Sequence, residues 1–142
     1  MASSGGNQAD GAAPQDVAGL ITKASPRSVT ETVSRFVEMV EAKGVKVFAV
    51  IDHSGEAERV GLRLRDTKLV VFGSPKAGTP VMVAAPLAAL DLPLKVLVWD
   101  DDGQTRVSFV APSTLAARYD LSAELAAALA VVGPLTDALV EA

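Results

Sequence analysis

The stretch that most constrains the fold is an unbroken apolar run, Leu69–Phe72, followed at once by a turn rich in glycine and proline, 73–80. The run has the length of a strand and no polar alternation, which is typical of a strand covered on both faces. Thr79 can cap a helix whose first residue is Pro80, because the N–H that proline lacks would have no intrahelical partner there. The sequence therefore predicts a buried strand, a tight turn and a helix start.

Other segments predict further strands and helices around this one. Ser28 and Glu31 form a capping box ahead of apolar residues at helical spacing through Val40, which predicts a helix ended by Gly44. The acidic turn 100–103 ends in Asp-Gly and favours a hairpin. Strands are predicted over 17–24, 45–52, 94–99 and 105–110, with a strand extension over 62–65. Helices are predicted over 56–60, 81–85, 87–90, 112–119 and 122–132, with an interruption at Gly133-Pro134 before a last turn, 135–140.

An internal repeat relates 18–52 to 67–101 at a constant offset. The identical pairs are Leu20 with Leu69, Ser25 with Ser74, Pro26 with Pro75, Thr30 with Thr79, Lys46 with Lys95, Val47 with Val96 and Asp52 with Asp101. The order strand, turn, helix, strand is the same in both copies, so we expect two β-α-β units with their helices on a shared sheet. The predicted fold class is α+β. It is a two-layer α/β sandwich with about five strands in a mixed sheet, helices on one face, and added C-terminal helices.

Composition sets the size of the core and the number of domains. The chain has 142 residues, of which 49% are hydrophobic but only 4% aromatic, so the core must consist of valine, leucine and alanine. Residues 1–15 are small and polar and predict a disordered tail, which leaves 16–142 as a single α/β domain. A chain this apolar leaves apolar surface exposed on a monomer, and burying that surface between two copies favours a homodimer.

Charge and residue counts exclude several classes of function. A formal net charge of −4 argues against a nucleic-acid partner, because phosphate attraction requires a basic surface. The chain has no cysteine and one histidine, which excludes thiolate chemistry, cysteine zinc sites and a multi-histidine metal site. Residues 1–15 lack the basic and apolar regions of a secretory signal, and no apolar run is long enough for a membrane helix. We expect a cytoplasmic protein with no membrane partner.

Four segments together resemble a known family. They are 25–29 before the first helix, 52–53 after the second strand, the strand and turn 72–80, and 92–99. In this order they are similar to the domain of unknown function 302 family, whose members usually carry asparagine where this chain has Ser74. The resemblance implies a small two-layer α/β domain that is commonly a dimer, and it implies no established activity.

The turn 73–80 is the first candidate site. Gly73 and Gly78 would let backbone amides approach an anion, and Lys76 adds positive charge at the helix start. Ser74 and Thr79 supply hydroxyls. The motif is not a Walker A sequence, because no lysine follows the second glycine. The alternative is a purely structural strand-to-helix turn.

His53 is the second candidate. It follows a strand end beside Asp52, where ligands commonly bind in open sheets, and its imidazole could act as a general base or as an axial ligand to a haem or metal. The alternative is a histidine hydrogen-bonded at the strand end. Met82 could supply a thioether ligand but is more typical of core packing. The acidic residues 100–102 favour a solvated hairpin over a cation site, so no metal ligands are assigned.

Three functions remain open from the sequence. The first is a dimeric binding module in which the 73–80 turn and His53 border a pocket for a small anionic ligand. The second is an enzyme that uses His53 as general acid or base, with Ser74 or Thr79 as its polar partner. The third is a structural or protein-interaction domain without a ligand. The sequence identifies neither the ligand nor a cofactor.

Overall fold

The computed structural model describes residues 17–142, so the predicted disordered tail lies outside the described residues. The strands are β1 (Leu20–Ser25), β2 (Lys46–Asp52), β3 (Thr67–Gly73), β4 (Leu94–Asp101) and β5 (Gln104–Val110). The helices are α1 (Val29–Ala42), α2 (His53–Arg59), α3 (Pro75–Ala84), α4 (Pro112–Arg118), α5 (Ala123–Leu129) and α6 (Val132–Leu139), with a 3₁₀ turn at Pro86–Leu90. The two-layer α/β sandwich and its five strands are confirmed.

All five strands belong to one sheet with the order β1-β5-β4-β3-β2. Every neighbouring pair in this sheet is antiparallel, so the expectation of a mixed sheet is wrong. The β2–β3 connection, residues 53–66, is long enough for either strand direction, whereas β4 and β5 are joined by a two-residue hairpin and must be antiparallel. A parallel pair would need a crossover of a dozen residues or more.

The two sequence repeats do not form equivalent units. Alternating strand directions make β1 and β2 parallel to each other, but they lie at opposite edges of the sheet. In contrast, β3 and β4 are antiparallel neighbours. The first unit therefore spans the sheet and the second folds back on itself, so the expected pair of matching β-α-β repeats is wrong. Local sequence sets which segments become strands, whereas pairing depends on distant residues.

The predicted start of α1 and the predicted hairpin are both confirmed. The Ser28 hydroxyl accepts a hydrogen bond from the Glu31 amide at 3.1 Å, and the Glu31 carboxylate accepts one from the Ser28 amide at 3.2 Å. In the β4–β5 hairpin, Asp102 and Gly103 have φ values of 53° and 97°. A two-residue hairpin loop of this type requires positive φ at both positions, which glycine and aspartate tolerate best.

The core lies between the helices and one face of the sheet. The inward apolar residues of the three central strands are buried and include Val70, Phe72, Val96, Val98, Val107 and Phe109. Phe36 of α1 packs edge-on against Phe72, with ring centroids 5.0 Å apart. On the other face of the sheet, Leu69, Leu97 and Trp99 are only partly buried. The expected placement of the helices on one face agrees with this burial pattern.

Three predicted boundaries differ from the structure. Helix α3 begins at Pro75 with Ser74 as its cap, so Thr79 and Pro80 lie inside the helix rather than at its start. The Gly133-Pro134 pair lies in the first turn of α6, where the missing proline N–H has no partner to lose, and the chain breaks earlier, between α5 and α6. Residues 62–65 are outside the sheet, so the predicted strand extension is wrong.

Candidate functional site

The strand register separates the two candidate regions. Lys46 at the start of β2 pairs with Gly73, whereas Asp52 at the end of β2 pairs with Lys68. His53 therefore lies at one end of β3 and the 73–80 turn at the other, roughly 20 Å apart at the usual rise of about 3.3 Å per residue. The expectation that His53 and this turn border one pocket is wrong.

His53 is an exposed residue at the start of α2. Its neighbour Asp52 caps this helix, accepting hydrogen bonds from the Gly55 amide at 3.0 Å and the Ser54 hydroxyl at 2.7 Å. The Ser54 bond, followed by the Gly55 bond, lowers the pKa of Asp52. Asp52 thus serves the helix start, and in the described part of the chain no hydrogen bond orients the imidazole. A catalytic role for His53 stays a prediction without a positioned partner.

The start of α3 leaves few free amides for an anion. Pro75 has no N–H, and the Ala77 amide donates to the Ser74 hydroxyl at 3.2 Å. The Gly78 amide donates to the Ser74 carbonyl at 2.8 Å. Only the Lys76 amide remains among the first turn of the helix. Phosphate-cradling loops present several amides to one ligand, so anion binding at this turn would depend on the Lys76 side chain.

A cleft of about 490 Å³ opens beside this helix start. Its walls come from α3, the first half of β2, the loop before β4 and the end of α5, with side chains that are almost all apolar. The central ones are Val45, Phe48, Met82, Leu92, Leu94 and Leu129. The structure thus brings four separate segments of the chain together around one apolar space.

Four of the six predicted site residues line this cleft, namely Gly73, Ser74, Gly78 and Thr79. Lys76 and His53 do not. The sequence does not predict the apolar walls. Met82 is a candidate only as a thioether ligand or a core residue, and the segment 92–99 only as part of the family resemblance. Phe48 had no signal of its own, because its position at the cleft follows from a bulge in the β2–β3 register between Val47 and Ala49.

The edge of the cleft carries a cation on an aromatic ring. The Lys46 ammonium lies 4.9 Å from the centroid of the Phe48 ring, within the range of a cation–π contact. Phe48 keeps 43% of its surface exposed although it lines the cleft. The arrangement places an apolar wall and a positive charge side by side at the mouth.

A second polar cluster ties the loop before β4 to α4. Asp91 accepts hydrogen bonds from the Tyr119 hydroxyl and from Arg118, the latter at 2.9 Å. The Tyr119 bond, more than Arg118, lowers the pKa of Asp91 from its ordinary 3.8, against the opposing effect of burial. The same bond raises the pKa of Tyr119 above its ordinary 10.0, since a phenolate would face the carboxylate.

This cluster gives a pH-dependent prediction for Tyr119→Phe. The lowered pKa of Asp91 means that its contribution to stability is present above pH 3.8 and is lost as the pH falls through the folded-state pKa. The raised pKa of Tyr119 means that its contribution is present below pH 10.0 and is lost as the pH rises through the folded-state pKa. Tyr119→Phe should therefore lower the free energy of unfolding at neutral pH and lose less further stability toward both extremes.

Denaturant titrations of both proteins, from below pH 3.8 to above pH 10.0, test the prediction. Tyr119 is the only tyrosine, so ultraviolet absorbance of the native protein reports its ionisation without interference from other tyrosines. Arg118→Ala is the control, because it weakens the cluster but keeps the tyrosine and hence the alkaline loss. An unshifted tyrosine titration in the native protein would contradict the proposed hydrogen bond.

The fold and cleft define the molecule as a small α/β sandwich domain with an apolar cleft at one end of its sheet. A family model described as Domain of unknown function DUF302 matches residues 21–141, and the chain belongs to that family. The family resemblance of the four sequence segments is thereby confirmed. A solved structure, the uncharacterized conserved protein DUF302 from Bacillus stearothermophilus, has a TM-score of 0.73 and 18% identity, covering 87% of this chain and 97% of that one. At this identity the likeness shows the fold alone.

Curated relatives carry the name of a channel. The Fluoride-specific ion channel FluC 1 of Brucella suis biovar 1 is 38% identical over 104 residues, which are 72% of this chain and 41% of the relative. The protein of the same name in Brucella abortus biovar 1 is equally similar over 38% of its length. The chain thus spans about two fifths of these relatives.

Two further properties concern the described residues alone. None of the helices within 17–142 has both the length and the hydropathy needed to cross a bilayer. In the same residues, no group of three or more histidine, aspartate or glutamate side chains is arranged to hold a metal ion. The cytoplasmic location stays a prediction.

Proposed function

We propose that this protein is a homodimeric binding module for a small amphiphilic anion. The apolar body of the ligand fills the cleft beside α3, and its charged end lies at the mouth near Lys46 and Lys76. This deepens the expectation of a small anionic ligand at the 73–80 turn. It also moves the site away from His53.

The observation that carries the proposal is the size and chemistry of the cleft. Its volume of about 490 Å³ lies within the range of roughly 300–1,000 Å³ that small-molecule sites occupy. The apolar walls favour a ligand with hydrocarbon or aromatic surface, because each buried methylene contributes about 0.8 kcal/mol. A small hydrated anion would gain nothing from such walls and would lose its water.

The charged end of the ligand is argued from the mouth of the cleft. Lys46 stands over the ring of Phe48, and Phe48 is itself a wall of the cleft. Lys76 is exposed on the first turn of α3, between the lining residues Pro75 and Ala77. A carboxylate or phosphate at this position would meet two cations without entering the apolar space.

The residues that line the cleft favour ligand binding over catalysis. The lining includes the hydroxyls of Ser74 and Thr79 but no histidine, carboxylate or lysine that could serve as a base. The Ser74 hydroxyl is already engaged with the Ala77 amide. General acid–base chemistry needs a titratable group within hydrogen-bond reach of the substrate, and the cleft walls offer none.

Thermal unfolding with defined probes tests the proposal. Sodium decanoate and decyl phosphate, each below its micelle concentration, should raise the melting temperature, because a ligand that binds only the folded state adds about 2.7 kcal/mol at a hundred times its Kd. Acetate and inorganic phosphate should leave the melting temperature unchanged. Equal stabilisation by inorganic phosphate would overturn the amphiphile in favour of a simple anion site, and no response to either amphiphile would leave the structural or protein-interaction role.

Two variants in α3 separate the cleft from the rest of the helix. A Cβ at Gly78 would meet no atom within 4 Å, so Gly78→Leu projects into the cleft without a backbone clash. It should abolish the response to decanoate while the protein stays folded. The matched control is Ala84→Leu, an exposed position of the same helix outside the cleft, which should keep the response.

A second candidate function rests on the curated relatives. Since a 38% identical segment occupies about two fifths of proteins named as fluoride-specific channels, the module could serve there as an attached regulatory domain. Replacing the matched 104 residues of the Brucella suis protein with this chain should then preserve fluoride efflux, whereas deleting them should change it. Unchanged efflux after deletion would count against this role.

A further inference from the structure

The outer edge of β2 is the least protected part of the sheet. Strand β2 is the last in the order β1-β5-β4-β3-β2, and every residue of it except Val47 is exposed. Its interior is apolar and contains no proline or charge, and unpaired edges of this kind readily add another strand. The opposite edge strand, β1, carries the inward Lys23 and ends at Ser25-Pro26, two devices that discourage pairing.

We infer that two copies of this chain pair their β2 strands antiparallel and so join their sheets into one. This inference names the surface of the proposed homodimer. In such a pair, the end of β2 in one copy lies beside the start of β2 in the other, with about 4.8 Å between neighbouring strands. The segments that flank the two ends of β2 are therefore brought together across the twofold axis.

The first of these flanking segments is the arm 60–65, between α2 and β3, which begins with a turn at Val60 and Gly61. Val60, Leu62 and Leu64 of this arm are 71%, 65% and 46% exposed, which is unusual for three large apolar residues in one short stretch. They alternate with Arg63 and Arg65, both exposed. Among the described residues, neither arginine has an ion-pair partner within the chain.

The second flanking segment is the C-terminal end of α1, which leads into the start of β2. Glu38 and Glu41 are exposed there, and the last turn of the helix contains no basic residue. Acidic groups at a helix C-terminus are unfavourable because the exposed carbonyls already carry partial negative charge. Lys43 is the C-cap residue of this helix. In the described residues neither glutamate has an ion-pair partner.

Antiparallel pairing therefore sets opposite charges face to face at both ends of the interface. The two arginines of each arm meet the two glutamates of the partner's α1, and the arm's apolar residues gain cover beside the partner's β2. The start of β2, with Val45 and Phe48, also forms one wall of the cleft. The arm of each copy thus lies next to the other copy's binding space.

A charge exchange tests this interface by sedimentation equilibrium. Wild type should be a dimer, and both Arg63→Glu/Arg65→Glu and Glu38→Arg/Glu41→Arg should raise its dissociation constant by about tenfold or more. All four substitutions together should restore the dimer, a rescue that a loss of folding does not give. Val50→Lys, in the middle of β2, should give a folded monomer, whereas Val83→Lys, on an exposed apolar position of α3, should leave the dimer intact.

Two outcomes would overturn the inference. One is a monomeric wild type, which would leave the decanoate response of the cleft as a separate question. The other is a dimer that Leu97→Lys disrupts and Val50→Lys does not, because Leu97 lies on the open sheet face rather than at its edge. That result would assign the interface to sheet-on-sheet packing.

Discussion

Phe36→Ala should remove about 3–5 kcal/mol from the free energy of unfolding, the usual loss when a fully buried phenylalanine is truncated. Phe36 is 0% exposed, and its ring meets Phe72 edge-on at an interplanar angle of 88°. This pair joins α1 to β3, an interior strand of the sheet. The loss is large compared with a total stability of about 5–15 kcal/mol, so the variant should be marginally folded at 25 °C.

Urea titration followed by the fluorescence of Trp99, the only tryptophan, measures this effect. The matched control is Val83→Ala, since Val83 is 77% exposed on α3 and its truncation should change stability by no more than about 0.5 kcal/mol. Phe36→Ala could instead lower the free energy of unfolding by less than about 1 kcal/mol with an unchanged dependence on urea concentration. That result would mean that the surrounding side chains fill the vacated space and leave no cavity.

Helix α1 shows how far local sequence determines this fold. Ser28, Glu31 and the apolar positions through Val40 all indicate the same helix, and no other segment competes for its start. The run Leu69–Phe72 similarly predicts a strand at β3 from its length and its β-branched residues. The expectation that this strand is covered on both faces is wrong, because Val70 and Phe72 are buried whereas Leu69 and Val71 are only partly buried. Where propensity, capping and periodicity agree, the sequence alone is sufficient.

Helix α3 shows where local rules give two equal answers. Ser74-Pro75 and Thr79-Pro80 are both a hydroxyl cap followed by proline, and both satisfy the rule for a helix start. The structure uses the first, which adds a turn whose residues Pro75, Ala77 and Gly78 line the cleft, and the helix as a whole packs against α5. The choice depends on a tertiary contact more than 40 residues away and could not be made locally.

The topology and the cleft depend on still more distant contacts. The repeat places similar strands in both halves, but β1 and β2 end at opposite edges because β5, β4 and β3 pair between them. That order then puts His53 and the 73–80 turn at different ends of β3. The apolar walls of the cleft come from four segments whose proximity no single motif encodes.

The second large effect is expected for Lys23, whose side chain is only 19% exposed. Its ammonium donates to the Thr136 hydroxyl at 2.7 Å, to the Gly133 carbonyl at 3.2 Å and to the Asp137 carboxylate at 2.7 Å. The same ammonium lies 5.2 Å from the centroid of the Phe109 ring. All three of its donors are used, so one side chain links the edge strand β1 to the first two turns of α6.

Lys23→Met keeps the length of the apolar stem but removes every one of these donors. We expect a loss of about 1.5–3 kcal/mol in the free energy of unfolding, because hydrogen bonds to a charged group are lost and the buried Thr136 hydroxyl oxygen loses its donor. Asp137→Asn is the control. Asp137 is 71% exposed, and an exposed ion pair contributes less than about 1 kcal/mol, so this variant should stay close to wild type.

Urea titrations of the two variants distinguish a polar anchor from a simple surface ion pair. If Lys23→Met and Asp137→Asn lower the free energy of unfolding by the same small amount, only the ion pair with the exposed carboxylate stabilises the protein. The hydrogen bonds from Lys23 to Thr136 and Gly133 then contribute nothing. A Lys23→Met variant more stable than wild type would mean that desolvating the ammonium costs more than its three hydrogen bonds return. The expected ordering, with Lys23→Met well below Asp137→Asn, follows because Thr136 is fully buried and already donates its own hydroxyl to the Val132 carbonyl at 2.7 Å.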